Sequence, residues 1–219
     1  MKVELLVDND VLIKGSCYSL IGHVKPPSRD LGAVGILGAA RFVVGNYLER
    51  RGRIRDREKA RASFDRYLAA VSQLEPAPSE LNLASVIEEK ALELGLDLDG
   101  GESQLCAMAV HRGWPLVLTG DKRAIKAIEV VAEAVDEVSG LRGRVACLEQ
   151  AIAGITDQIG ADAARMAICG EPDVDRAISI CFECSRPDSR SDFKPVGLAS
   201  YIAHLRAEAP TVLYPSDSL

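Results

Sequence analysis

Two short apolar runs constrain this chain most, because each closes on an aspartate and leads at once into a helix-patterned stretch. The first is "VELLVD", residues 3 to 8, ahead of "NDVLIKGSCYSLIG"; the second is "PLVLTGD", residues 115 to 121, ahead of "KRAIKAIEVVAEAV". Unbroken aliphatic runs of this length suit strands buried on both faces, which means a parallel sheet covered by helices. "GRVACLEQAIAGI" repeats the pattern as a last short strand and a helix. Strands alternating with helices imply an α/β/α architecture, and sites in such sheets lie beyond the carboxyl ends of the strands. Asp8, Asp10 and Asp121 fall at such ends.

The intervening segments are read by the same signals. A helix is expected over 11–22, a loop over 24–32, and one helix over "AVGILGAARFVVGNYLER", where Ile36, Leu37, Ala40, Val43, Val44 and Leu48 follow a 3.6 period. A further helix runs to about Ser72. Ser79 is the expected N-cap of a helix over Glu80–Leu94, which Gly95 ends, and Gly113 is the expected C-cap of the helix in "LDLDGGESQLCAMAVHRG". The tail reads as helices from about Asp157 to Ala167, within "CGEPDVDRAISICFECS" with Pro172 in the first turn, and over "VGLASYIAHLRAEA". The division is therefore an α/β domain over 1–150 and a helical extension over 151–219.

Composition narrows the function classes. With 219 residues, 47% of them hydrophobic, the chain can bury a core that needs no staples. A net charge of −6 disfavours nucleic acid over most of the surface, so polyanion binding requires a local basic patch. "RRGRIRDREKA", with Arg50, Arg51, Arg53, Arg55, Arg57 and Lys59, is such a patch or a solvated basic face. The opening apolar run is too short for a signal sequence and no stretch reaches a membrane span, so the expected location is cytoplasmic. A disulfide framework is not expected there, and four of the six cysteines sit in apolar settings. Cys181 and Cys184 form a C-x2-C pair that, with Cys169 and His204, makes a zinc site one reading; buried helix thiols are the other. No Walker motif, dinucleotide fingerprint or nucleophile elbow is present.

Three junctions carry acids: Asp8/Asp10, Asp99/Glu102 and Asp121. Singly, each has an ordinary structural reading, with Asp10 and Asp121 as N-caps, Asp99 in a turn and Glu102 as a first-turn anion. Together, a parallel sheet brings them to one edge. Clustered carboxylates repel unless a cation joins them, and hard divalent cations with oxygen ligands suit that role.

"LLVDNDVLI", "LDLDGGESQLCAMAVHRG" and "PLVLTGDKRAI", in this order and spacing, resemble the PIN domain nucleases, including VapC-like toxins. The resemblance covers about residues 1 to 150. It implies a PIN-like three-layer fold with a central parallel sheet and a Mg2+- or Mn2+-dependent endoribonuclease. It also implies RNA as substrate, an antitoxin-like protein as a partner and a homodimer. Carried over, Asp8, Asp10, Glu102 and Asp121 are the catalytic acids, and Asp8, Glu102, Asp121 and Asp99 the metal ligands. Asn9 and Thr119 orient water or phosphate, and Lys122, Arg123, Arg53 and Arg55 meet the RNA backbone. One departure stands out: the family carries a further acid on a helix after the first motif. The matching helix here offers Arg41 and Asn46, with no acid before Glu49. Arg41 is then a candidate to neutralise the cluster, and a PIN-like binding module that no longer cuts is the alternative function.

Overall fold

The computed structural model describes residues 3–26, 28–50, 53–186 and 195–219. Its centre is a parallel sheet of β1 (Leu5–Val7), β2 (Val34–Leu37), β3 (Ser72–Leu74), β4 (Val117–Thr119) and β5 (Val145–Cys147), in the order β3-β2-β1-β4-β5. Leu5 of β1 pairs with Val34, Leu6 with Val117, and Val117 in turn with Val145. The chain winds outward from β1 through β2 to β3, then crosses to β4 on the other side of β1. That reversal opens a crevice beyond the carboxyl ends of β1 and β4.

Helices cover both faces, and the side-chain period of two sorts the strand residues between them. Leu5, Val7, Ile36, Leu118 and Ala146 pack with α1 (Asn9–Cys17), α2 (Ala40–Arg50), α3 (Arg57–Leu68) and α7 (Leu148–Ile159). Leu6, Leu37, Val117, Val145 and Cys147 pack with α4 (Pro78–Glu93), α5 (Gly100–Arg112) and α6 (Lys122–Ala134). The result is a three-layer α/β/α architecture with a C-terminal helical extension.

Several boundaries differ from the sequence expectation. The single helix expected across residues 33–50 is β2 followed by α2. The apolar positions fit both periods, and packing decides, because all four β2 residues are buried between two helical layers. Gly38 makes the turn between them, where a Cβ would sit 2.1 Å from Glu75 Oε1. The edge strand β3 carries no apolar run and went unread. The first helix stops at Cys17, with Ser19 at φ 58°. The cap of α4 is Ala77, not Ser79: Pro78 takes the first turn, and Glu80 Oε2 accepts the Ala77 N–H at 2.7 Å. Gly95 and Gly113 end their helices with positive φ as expected.

The extension holds α8 (Ala161–Gly170), α9 (Arg176–Cys181) and α10 (Val196–Glu208). Gly160, at φ 88°, splits the expected 157–167 helix. Pro172 lies ahead of α9, whose N-cap is Asp175. Ile168, Ile178, Phe182 and Leu198 join the first core, while Ile202 and Leu205 join the second. Residues 211–214 run along the open edge of β5, with Tyr214 N–H donating to Val145 O at 2.7 Å.

The cysteines need a correction. Cys169 and Cys184 form a disulfide, and Cys17, Cys106, Cys147 and Cys181 are free and buried. The C-x2-C pair is thus divided, with Cys181 in α9 and Cys184 in the turn after it. His204 is exposed and faces Glu208 at 3.2 Å. Neither observation leaves the zinc reading a ligand set. Among the described residues, no helix is long and apolar enough to cross a membrane.

Candidate functional site

The acids converge at the crevice where the strand order reverses. Asp8 follows β1 and is 7% exposed. It, rather than Asp10, is the N-cap of α1: its Oδ2 accepts the Asp10 N–H at 3.1 Å. Glu102 enters from α5, 6% exposed, within a capping box. Asp99 Oδ1 accepts the Glu102 N–H at 2.9 Å, and Glu102 Oε2 accepts the Asp99 N–H at 3.2 Å. Thr119, buried at the end of β4, links the two: its Oγ1 lies 3.5 Å from Asp8 Oδ2 and 3.4 Å from Glu102 Oε1. One hydroxyl proton serves one of them at a time. Asp121 caps α6 by accepting the Arg123 N–H at 2.8 Å.

Electrostatics divides these acids into two sorts. Burial, reinforced by Asp10 and Asp99, pushes the Asp8 carboxyl up to about 6 although backbone N–H groups oppose it. Burial, with Asp99, Asp8 and Asp121 nearby, pushes Glu102 up to about 8. Among the described residues neither makes an ion pair. Asp10 and Asp121 do. Burial raises the Asp10 carboxyl, and Lys14, 2.6 Å from its Oδ2, offsets part of that rise. Asp10 Oδ2 has no hydrogen bond of good angle, so the ammonium is its partner as a charge. Burial pushes the Asp121 carboxyl up, but the Arg123 guanidinium, 2.8 Å away, together with the Arg123 and Ala124 N–H groups holds it below the usual range.

The remaining sequence candidates are placed as follows. Asn9 begins α1, half-buried at the crevice. Lys122 pairs with the buried Glu149 at 2.5 Å and lies over the Tyr201 ring. Arg123 is 70% exposed and also reaches Asp97 at 2.6 Å. Arg53 is exposed, whereas Arg55 contacts Asp173 at 3.3 Å, and the Arg55 and Asp56 N–H groups donate to Glu171. The basic stretch is thus partly docked on the extension; Arg51 lies outside the described residues.

The helix acid is not supplied by α2. Glu49 is exposed and pairs with Arg61 at 2.5 Å. Arg41 is exposed and stacks on Phe42, so it does not neutralise the cluster. The cation that sits there, half-buried, is Lys14, which the sequence reading missed, although its i+4 spacing from Asp10 was a usable signal. Asp175 of the extension, 2.8 Å from Lys14, carried none.

Among the described residues, no three His, Cys, Asp or Glu side chains close on one point as a metal-ligand set. A cavity of about 710 Å³ lies at the other end of the strands, lined by Leu5, Leu116, Lys25 and Arg29 and free of the site acids. No known protein family matches the chain by its sequence model, and no curated protein matches it by sequence.

Proposed function

We propose that the protein is a Mg2+- or Mn2+-dependent endoribonuclease of PIN type. One observation carries the reading: Asp8 and Glu102 are buried, joined through Thr119 and, among the described residues, without a counter-charge, at the crevice where the strand order reverses. Burying carboxylates without a cation costs stability, and Glu80, Glu129 and Glu171, buried elsewhere, accept from N–H or hydroxyl donors. A hard divalent cation fits the donor set. All donors are oxygens, and Mg2+ is commonly held by one or two carboxylates with water completing its shell. Two close carboxylates are therefore enough, and the lack of a preformed three-ligand cluster is no obstacle.

Asp8 and Glu102 would hold the ion, with Asp121 at the rim. The bound ion neutralises charge on the phosphodiester and lowers the cost of forming a nucleophile from water. Thr119 Oγ1 and the Asn9 side chain orient the groups entering the crevice. Arg123, exposed and held only by surface partners, turns to the RNA backbone, and Lys122 sits behind it. Assignment as a toxin with a protein antitoxin, and as a homodimer, follows from the family resemblance alone.

A second reading has its own observation. With Glu49 held by Arg61 and Asp10 by Lys14, fewer acids are free than the family pattern implies. On that reading the chain binds RNA or protein without cutting. Cleavage of mixed RNA with Mn2+ separates the two. We expect EDTA to abolish it and Asp8→Asn to lower it about 10³-fold, a loss of several kcal/mol of transition-state stabilisation. Cleavage that survives Asp8→Asn rejects the site, and absence of cleavage under every condition favours the binding module.

A further inference from the structure

Lys14 has no part in the reaction as proposed, yet it is the most firmly held cation at the crevice. Its side chain is 16% exposed, and its ammonium lies 2.6 Å from Asp10 Oδ2 and 2.8 Å from Asp175 Oδ2. Asp175, 12% exposed, is fixed in turn as the cap of α9, where its Oδ1 accepts the Ile178 N–H at 3.0 Å. Behind Asp10 lies Gly120, where a Cβ would stand 1.9 Å from Oδ2. The Asp10 carboxylate is therefore gripped between a peptide and an ammonium, and the ammonium is held by a residue of the extension. Arg123 at Asp121 is 70% exposed and screened by solvent, whereas Lys14, 16% exposed and set between two carboxylates, is screened less.

We propose that Lys14, fastened by Asp175, is a built-in counter-charge that takes the place a second divalent cation would occupy beside Asp10, so that this edge holds a single cation, at Asp8 and Glu102. The inference rests on the cation reading above and adds to it a stoichiometry and a role for the extension. Two-cation sites need carboxylates that face both ions. Asp10 stands near enough to Asp8 and Asp121 for their charges to act on one another, and the largely covered ammonium on its oxygen repels any cation approaching there. Asp175 acts through Lys14 and is a positioning residue.

Mn2+ titration of the full chain near neutral pH, with free ion read by electron paramagnetic resonance, tests the count. The unaltered chain is expected to bind one Mn2+ tightly, and Asp8→Asn none. Lys14→Met keeps the length of the side chain without its charge and is expected to bind two. If Asp10 and Asp175, left facing each other, prevent that variant from folding, Lys14→Met with Asp175→Asn removes the stranded charge and is also expected to bind two. Two ions in the unaltered chain, or one in a folded Lys14 variant, overturns the counter-charge while leaving the cation site standing. No ion in the unaltered chain overturns the cation site, and the counter-charge with it.

Discussion

Buried carboxylates occur both at the crevice and far from it, and the two groups are treated differently. Glu129 accepts the Thr211 N–H and O–H and the Val212 N–H, at 2.8 to 3.2 Å. Glu171 accepts the Arg55 and Asp56 N–H groups at 2.8 and 2.6 Å. Glu80 takes a two-pronged contact from Arg112 at 2.5 and 2.6 Å, and these bonds hold its carboxyl below the usual range against burial. These acids tie segments together: the C-terminal strap to α6, the basic stretch to the extension, and α4 to α5. Asp8 and Glu102 are as deeply buried but share one hydroxyl and face other acids. Glu80, Glu129 and Glu171 are met by N–H, hydroxyl or guanidinium donors, whereas among the described residues Asp8 and Glu102 have no ion-pair partner, and that contrast supports the proposed cation site.

That contrast can be broken in three places. The largest effect is expected from Arg112→Ala, which strands Glu80. Breaking a buried pair costs about 3 to 5 kcal/mol, and the partial exposure of Arg112 places this one near the lower figure. The denaturation midpoint should fall while cleavage per folded molecule stays unchanged. A loss of cleavage per folded molecule would show that the two groups of acids are not separate.

Gly120→Ala is expected to be smaller in stability and larger in function. Its methyl displaces Asp10 from Lys14, at a packing cost of about 1 to 3 kcal/mol. Thermal unfolding and cleavage should fall together. Unchanged cleavage would show that the position of Asp10 is immaterial.

The smallest effect has the opposite sign. Folding raises the Glu102 carboxyl from 4.5 to about 8 and that of Asp8 from 3.8 to about 6, so the folded state binds protons more tightly than the unfolded one. Without a cation, stability from this pair therefore falls as pH rises from about 4 towards 8. Glu102→Gln removes the larger part of that loss. In EDTA at pH near 8 it should gain at least about 1 kcal/mol, seen as an unfolding temperature about 2 to 4 °C higher. The gain should vanish at low pH, where Glu102 is protonated, and Mn2+ should stabilise the unaltered chain but not the variant. Equal unfolding temperatures in EDTA at high pH would show that Glu102 carries no strain of this kind.

The site was more legible in the sequence than its surroundings. Asp8, Glu102, Thr119 and Asp121 follow or face short aliphatic strands, and each strand end is marked locally by a cap. Where local marks compete, the reading failed. Residues 34–37 fit a strand and a helix equally well, and the cap of α1 expected at Asp10 is Asp8, whose carboxylate accepts the Asp10 N–H. The zinc alternative failed because Cys169, fifteen residues before Cys184, is drawn to it by the packing of α8 against α9. Arg41 was the nearest cation in the pattern, yet it faces solvent.

By itself the sequence determined the strand–helix alternation and the acids at the strand ends, because both follow from burial period and capping, which act over a few residues. Tertiary structure alone decided the charge state of the crevice. Lys14 points at Asp10 because of the helix period, and the fold of α9 sets Asp175 against it as a second carboxylate. Whether a carboxylate is compensated depends on what lies within a few ångströms, and for Asp10 that neighbourhood is completed by a residue 165 positions along the chain.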